Sequence, residues 1–274
     1  MPVLLMTVWL TGCVQEELGS TPSPTGNGIR FTLTVPDVNL PSVSSRTMTG
    51  TGTAKKEDEI ETVDILVFDM SKTPAVYLEC VSATGVTQDL ADNSTVSFSA
   101  VLSPTTASTC IVVVANKELD NIVPGFIKGT TTKVEAMEKM LHTQTGKWLA
   151  DGSTTGGYTR IPMYGEKVIS KITPSMDPIT GINMKRMLAR IDIRNNSATS
   201  NFTVEEVYLA NYNTTGYIAP AWNTNGQVTE PAPDTPVLPT GSGKMTEEGD
   251  AILYSVNGNT PYDGEIYTFE SIAA

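Results

Sequence analysis

Few side chains in this 274-residue sequence have chemistry beyond proton exchange. There are three cysteines, Cys13, Cys80 and Cys110, and one histidine, His142. A structural zinc site wants four Cys or His ligands and a catalytic one usually three His, Cys or carboxylate ligands. The inventory therefore speaks against zinc, and the sequence points to no metal and no cofactor. Residues 241–244, GSGK, look faintly like a phosphate loop. Leu238 stands where that pattern needs its first glycine, and Met245 stands where it needs Ser or Thr. The stretch reads instead as a Pro- and Gly-rich loop. The H-E-x-x-H, G-x-S-x-G and EF-hand spacings do not occur. Asp89 and Asp92 flank a turn, where carboxylates are ordinarily turn formers. Carboxylate pairs for glycoside hydrolysis meet only in space, and no feature suggests them. No catalytic residue is assigned, and the chain is not expected to be an enzyme.

Cys13 is the cysteine with a context. Residues 1–13 read MPVLLMTVWLTGC, and the run 3–10 is apolar but for Thr7. That run is too short to span a bilayer, and its small-residue ending suits a cleavable export signal. The ending LTGC (10–13) resembles the lipobox of bacterial lipoproteins, in which the cysteine thiol is acylated and the signal is cut just before it. Cys13 is thus the expected lipid attachment site, following a signal of residues 1–12. No Lys or Arg precedes the apolar run; either the true start lies upstream, which is the favoured expectation, or the signal is defective. An exported chain meets oxidising conditions, so a Cys80–Cys110 bridge is chemically allowed; two buried free thiols fit as well.

The elements that must position these residues are mostly strands. Charged residues are 18% and hydrophobic ones 39% of the chain, and Thr, Ser, Asn and Gly, residues of strands and turns, fill much of the rest. The formal net charge is -12, which repels phosphate backbones and excludes nucleic acid as the expected partner. Residues 13–28 form a polar tether rich in Ser, Thr, Pro and Gly. Residues 29–35 alternate, with Ile29, Phe31, Leu33 and Val35 on one face and Arg30, Thr32 and Thr34 on the other. A second polar stretch, 40–59, contains SSRTMTGTGTAKKEDE. Residues 62–69, TVDILVFD, are apolar on both faces and should be a central strand. Strands are expected at 75–83, 95–102 and 110–115, with turn-rich segments between them, as in an antiparallel sandwich. The spacing predicts one helix over 133–148, with Val134, Met137, Leu141 and Trp148 near one face and His142 as a solvated side chain on it. Further strands are expected at 187–194, 202–210 with a bulge at Glu205 and Glu206, 252–256 and 265–270.

Taken in order, these features resemble one family. A lipobox and tether precede an alternating strand, a lone Arg in a polar loop and an acidic lead-in to TVDILVFD. IPMYGE (161–166) and MKRMLARIDI (184–193) follow. This is similar to the fimbrillin family of Bacteroidetes, the major fimbrial subunits or type V pilins, over nearly the whole chain. The resemblance implies a mainly β protein: two transthyretin-like antiparallel β-sandwich domains with one short helix, here expected at 29–168 and 169–274. It implies a lipoprotein precursor at the outer membrane and a mature subunit in a cell-surface fimbrium with a role in adhesion. An Arg-specific protease cuts such precursors in the loop after the first strand, which matches the Arg46–Thr47 bond; Lys55 and Lys56 would not suit it. Removal of the first strand opens a groove that a strand from the next subunit fills. The implied partners are other pilin subunits, shaft, anchor or tip, that protease, the membrane through the lipid, and an unnamed surface receptor. Anchor subunits of the family keep their lipid and are not cut. Such pilins continue past a strand like EIYTFE, so a chain stopping at Ala274 has a truncated or a short C-terminal domain. The rival reading is a surface lipoprotein that binds glycan or host protein without polymerising.

Overall fold

A computed structural model describes residues 28–35, 57–89, 95–149, 159–193, 201, 203–229, 236–240, 242, 251–255 and 262–271. The expected signal, residues 13–27 of the tether, and Cys13, Arg46 and Thr47 lie outside the described residues.

The first strand is β1 (Ile29–Thr34), and its apolar positions are buried while Arg30 and Thr34 are exposed, as period-two alternation requires. It is followed by β2 (Val63–Asp69), β3 (Val76–Ser82), β4 (Thr84–Gln88), β5 (Thr95–Ala100) and β6 (Thr109–Ala115). A short helix, α1 (Lys133–Lys139), precedes β7 (Leu141–Thr143), β8 (Met163–Ile169), β9 (Ile179–Asn183) and β10 (Lys185–Arg186). Then come β11 (Ala189–Ile193), β12 (Glu206–Leu209), β13 (Thr215–Tyr217), β14 (Ile252–Ser255) and β15 (Tyr262–Thr268).

Two sheets face each other. One has the order β4-β5-β1-β9 and the other β10-β8-β6-β2-β3. Between them lies an apolar layer built from β1, from Val63, Ile65 and Val67 of β2, from Val96 and Phe98 of β5, and from Ile111 and Val113 of β6. The opposite face of the five-stranded sheet is also covered: Leu66, Phe68, Cys110, Val112 and Val114 pack beneath Ala136, Met137 and Met140 and beneath Ile218, Tyr267 and Phe269. Burial on both faces is why β2 and β6 read as continuous apolar runs rather than alternating ones. A smaller cluster of Tyr212, Ile252, Tyr254 and Ile266 gathers β12, β14 and β15, where β11 pairs with β15 and β12 with β14.

Three local expectations are corrected. The helix spans only Lys133–Lys139, capped by a reciprocal Thr132–Glu135 box. The chain then leaves it to pair Leu141–Thr143 with Thr215–Tyr217, so a tertiary strand partner overrides the helical periodicity read over 133–148. The buried stripe is Lys133, Ala136, Met137 and Met140, rather than one through Val134, Leu141 and Trp148. The strand at 206–209 keeps a regular register with β14, without a bulge. Finally, β9 pairs parallel with β1, whereas the other named strand pairs among the described residues are antiparallel. Both β9 and β10 belong to the first two sheets.

Candidate functional site

The site with the clearest design is the seat of β1. This strand is inside its sheet, antiparallel to β5 on one edge and parallel to β9 on the other. Ile29, Phe31 and Leu33 stand opposite Ala100, Phe98 and Val96. On the β9 side the register shifts between Phe31 and Leu33, where Gly181 holds φ +71°, a left-handed conformation that glycine adopts without strain. The Met184 N–H donates to the Thr34 carbonyl at 2.8 Å and closes that edge. Ile29, Phe31, Leu33 and Val35 are each at most 5% exposed. The Phe31 and Phe98 rings stack at 5.0 Å between centroids and 8° between planes. The seat is an apolar trench with backbone hydrogen-bonding edges on both sides. Such a place can hold an extended strand; it offers no acid, base or nucleophile to a substrate.

The reactive side chains found among the described residues are sequestered. Cys80 and Cys110 are free thiols. They sit on β3 and β6, on opposite sides of β2, paired with Leu66 and Phe68 respectively. Strands two places apart are roughly 9.6 Å apart, beyond the Cα separation of about 7 Å that a disulfide tolerates. The two free thiols are therefore the outcome, not a bridge. Burial pushes the Cys80 thiol up to about 12, with the Asp64 carboxylate adding to it. Burial likewise pushes Cys110 up to about 11, against the pull of the neighbouring Lys133 ammonium.

His142 is not a solvated helix residue. It lies on β7, its ring 5.0 Å from Trp148 and 6.4 Å from Phe269. Neither ring nitrogen has a hydrogen-bond partner, and burial, with a smaller push from Lys117, drops its pKa to about 4. The ring is neutral packing material for the segment around Phe269.

Sequence reading missed one polar group altogether. Lys133, 1% exposed, places its ammonium 2.5 Å from the Glu166 carboxylate. The Tyr164 hydroxyl donates to the same carboxylate oxygen at 2.5 Å, and burial, reinforced by that carboxylate, raises the Tyr164 pKa well above its ordinary value. The available signal was Lys133 at the head of an i, i+3, i+4, i+7 stripe with Ala136, Met137 and Met140. A buried pair of this kind is structural unless a ligand approaches it. Asp89 is exposed, and its companion Asp92 lies outside the described residues. Among the described residues no cluster of His, Cys, Asp and Glu is placed to hold a metal ion, and no helix is long and apolar enough to cross a membrane.

A family model described as fimbrillin-A associated anchor proteins Mfa1 and Mfa2 matches residues 23–269. The chain belongs to this fimbrillin-A associated anchor protein family. No curated protein matches it. Two solved structures from Parabacteroides distasonis are similar. One is a fimbrial assembly protein, 12% identical, with 89% of this chain and 77% of that one covered and a TM-score of 0.43. The other is a provisionally assigned cell adhesion protein, 18% identical, with 91% and 72% covered and a TM-score of 0.46. Within the Mfa1 and Mfa2 family, the present chain places residues 29–34 inside a sheet rather than at its edge.

Proposed function

We propose that this chain is a structural subunit of cell-surface fimbriae that assembles by exchange of its first strand. It is made as an outer-membrane lipoprotein held through Cys13. An Arg-specific protease cuts the Arg46–Thr47 bond, Thr47 becomes the new N-terminus, and the lipid and β1 leave together. An extended strand of a neighbouring subunit then fills the seat. The supporting observation is the position of β1: an inner strand that, with Val35 just after it, buries four side chains, joined along the chain to β2 only through the stretch that contains Arg46. Each such side chain is worth roughly 1.5–3 kcal/mol when fully buried. Their joint loss is comparable with the whole stability of a domain, about 5–15 kcal/mol. A cut subunit therefore demands a replacement strand, the donor-strand mode of β-augmentation. The body that stays consists of the first sandwich through β10 and a second unit from β11 onward.

A second reading rests on the family description, which names anchors. An anchor keeps Cys13, its lipid and β1, and presents another surface to the fibre. The two readings separate on one variant. Under the first, Arg46→Ala in cells with the native protease traps a lipid-bound monomer and fibres fail to form. Under the second, the variant behaves as wild type. A surface lipoprotein that binds glycan or host protein without polymerising would be found outside fibres in both cases.

A further inference from the structure

Residues 57–61, EDEIE, come directly after the stretch that holds Arg46 and belong to no strand or helix. Backbone groups outside regular structure must find other partners when buried. Here two amide side chains supply them in alternation. Gln88, at the end of β4, accepts from the Ile60 N–H at 3.1 Å and donates to the Asp58 carbonyl at 2.7 Å. Asn116, just past β6, accepts from the Glu61 N–H at 3.0 Å and donates to the Glu59 carbonyl at 2.7 Å. Asn116 holds φ 58°, a left-handed position that Asn tolerates better than most residues.

The acidic side chains of the run meet three arginines. Arg190 of β11 bonds both Glu57 oxygens at 2.9 Å, and the Tyr267 hydroxyl of β15 donates to Glu57 at 2.5 Å. Arg186 of β10 lies 3.4 Å from the Asp58 carboxylate and donates to the Glu57 carbonyl at 3.2 Å. Arg160 reaches Glu59 at 3.2 Å and Glu61 at 2.6 Å. These contacts are not equal. Glu61 is largely exposed, and such a pair contributes little. Glu57 is 3% exposed, and removing a partner from a buried ion pair leaves an uncompensated charge.

We infer that residues 57–61 are a clasp that fixes the C-terminal limit of the displaceable part of the chain. The inference rests on the reading of β1 as a strand that leaves. The five residues tie the four-stranded sheet through Gln88, the five-stranded sheet through Asn116 and Arg186, and the second unit through Arg190 and Tyr267. None of these ties uses β1. These ties therefore hold the two sheets and the second unit together in the interval before a donor strand fills the seat. Glu57 is a positioning residue: it holds β11 and β15 against the sandwich.

The test uses the full chain with a recognition sequence for a site-specific protease placed between Thr47 and Lys56, cut in vitro and then freed of the N-terminal piece that carries β1. Amide hydrogen exchange is read at 58–61, in β11 and in β15 before and after the cut. In the otherwise wild-type chain the cut changes exchange at these amides by less than about threefold. In Glu57→Gln the uncut chain stays folded, but the cut speeds exchange at the same amides by about tenfold or more, as loss of a buried charged partner predicts. Arg190→Lys, which keeps the charge but not the guanidinium nitrogen that reaches both Glu57 oxygens, replaces Glu57→Gln should that variant not fold. A wild-type chain that loses protection at 58–61 once cut overturns the clasp, and so do variants that match wild type after cutting. Because the cut is made in vitro, a native chain never cut at Arg46 would overturn the processing reading and leave this result standing.

Discussion

Phe31 and Phe98 are direct cross-strand partners whose rings stack at 5.0 Å across the β1–β5 pair. Both are buried against the facing sheet, so the ring of Phe31 is the largest single holdfast of the first strand. Phe31→Ala is expected to cost about 3–5 kcal/mol, seen as a lower urea midpoint at unchanged slope. A cycle with Phe98→Ala should return a coupling of about 0.5–1.5 kcal/mol for the pair. A loss under about 1 kcal/mol for Phe31→Ala, far below the range for a buried ring, would mean that the strand is not seated as described.

The Lys133–Glu166 pair should behave asymmetrically. Glu166→Ala leaves the buried Lys133 ammonium without its carboxylate and should cost about 3 kcal/mol or more. The double variant Lys133→Met with Glu166→Gln removes both charges, fills the same space and should recover most of that loss. Denaturant midpoints of the two variants decide the matter; equal destabilisation of both would show that packing rather than charge is at stake.

Stability should fall as pH drops through the range set by His142. Burial lowers its pKa from 6.5 to about 4. Between those values the unfolded state binds the proton and the folded state does not, so the unfolding free energy decreases toward acid and this contribution levels off below about 4. His142→Phe keeps a ring beside Trp148 and Phe269 and removes the proton site. The difference between wild type and variant, measured against pH, should slope only between about 6.5 and 4. A flat difference would contradict the burial of the ring.

The two thiols should resist modification until the chain unfolds. Cys80 is pushed to about 12 and Cys110 to about 11 by burial, and the thiolate is the nucleophile. Alkylation of the native protein at pH 8 should be slow at both, and prior reduction should not change the number of sites labelled after denaturation. An increase on reduction would reveal a disulfide.

The strands with two apolar faces or clean alternation were legible in the sequence: 62–69 and 110–115 are the centre of the five-stranded sheet, and 29–35 is a one-faced strand with its apolar side chains buried. What was not legible depends on partners distant in sequence. The pattern ITGIN of β9 has a glycine in its middle and becomes a strand only because β1 lies beside it. The stretch 141–143 continues a helical period and is nonetheless claimed by Thr215–Tyr217. The acidic run 57–61 shows in the sequence only as a lead-in to β2; its meaning appears when Arg160, Arg186 and Arg190, about a hundred residues or more away, close on it. Cys13, Arg46 and Thr47 were read from local motif and resemblance, and rest on that footing.

In the proposed assembly the first strand leaves when the subunit joins a fibre. The most direct measurement is the N-terminal sequence and intact mass of this chain isolated from assembled fibres of its native cells. The account predicts a chain that begins at Thr47 and lacks residues 29–34. Chains in the fibre shaft that begin at Cys13, with lipid attached and β1 still in place, would contradict it.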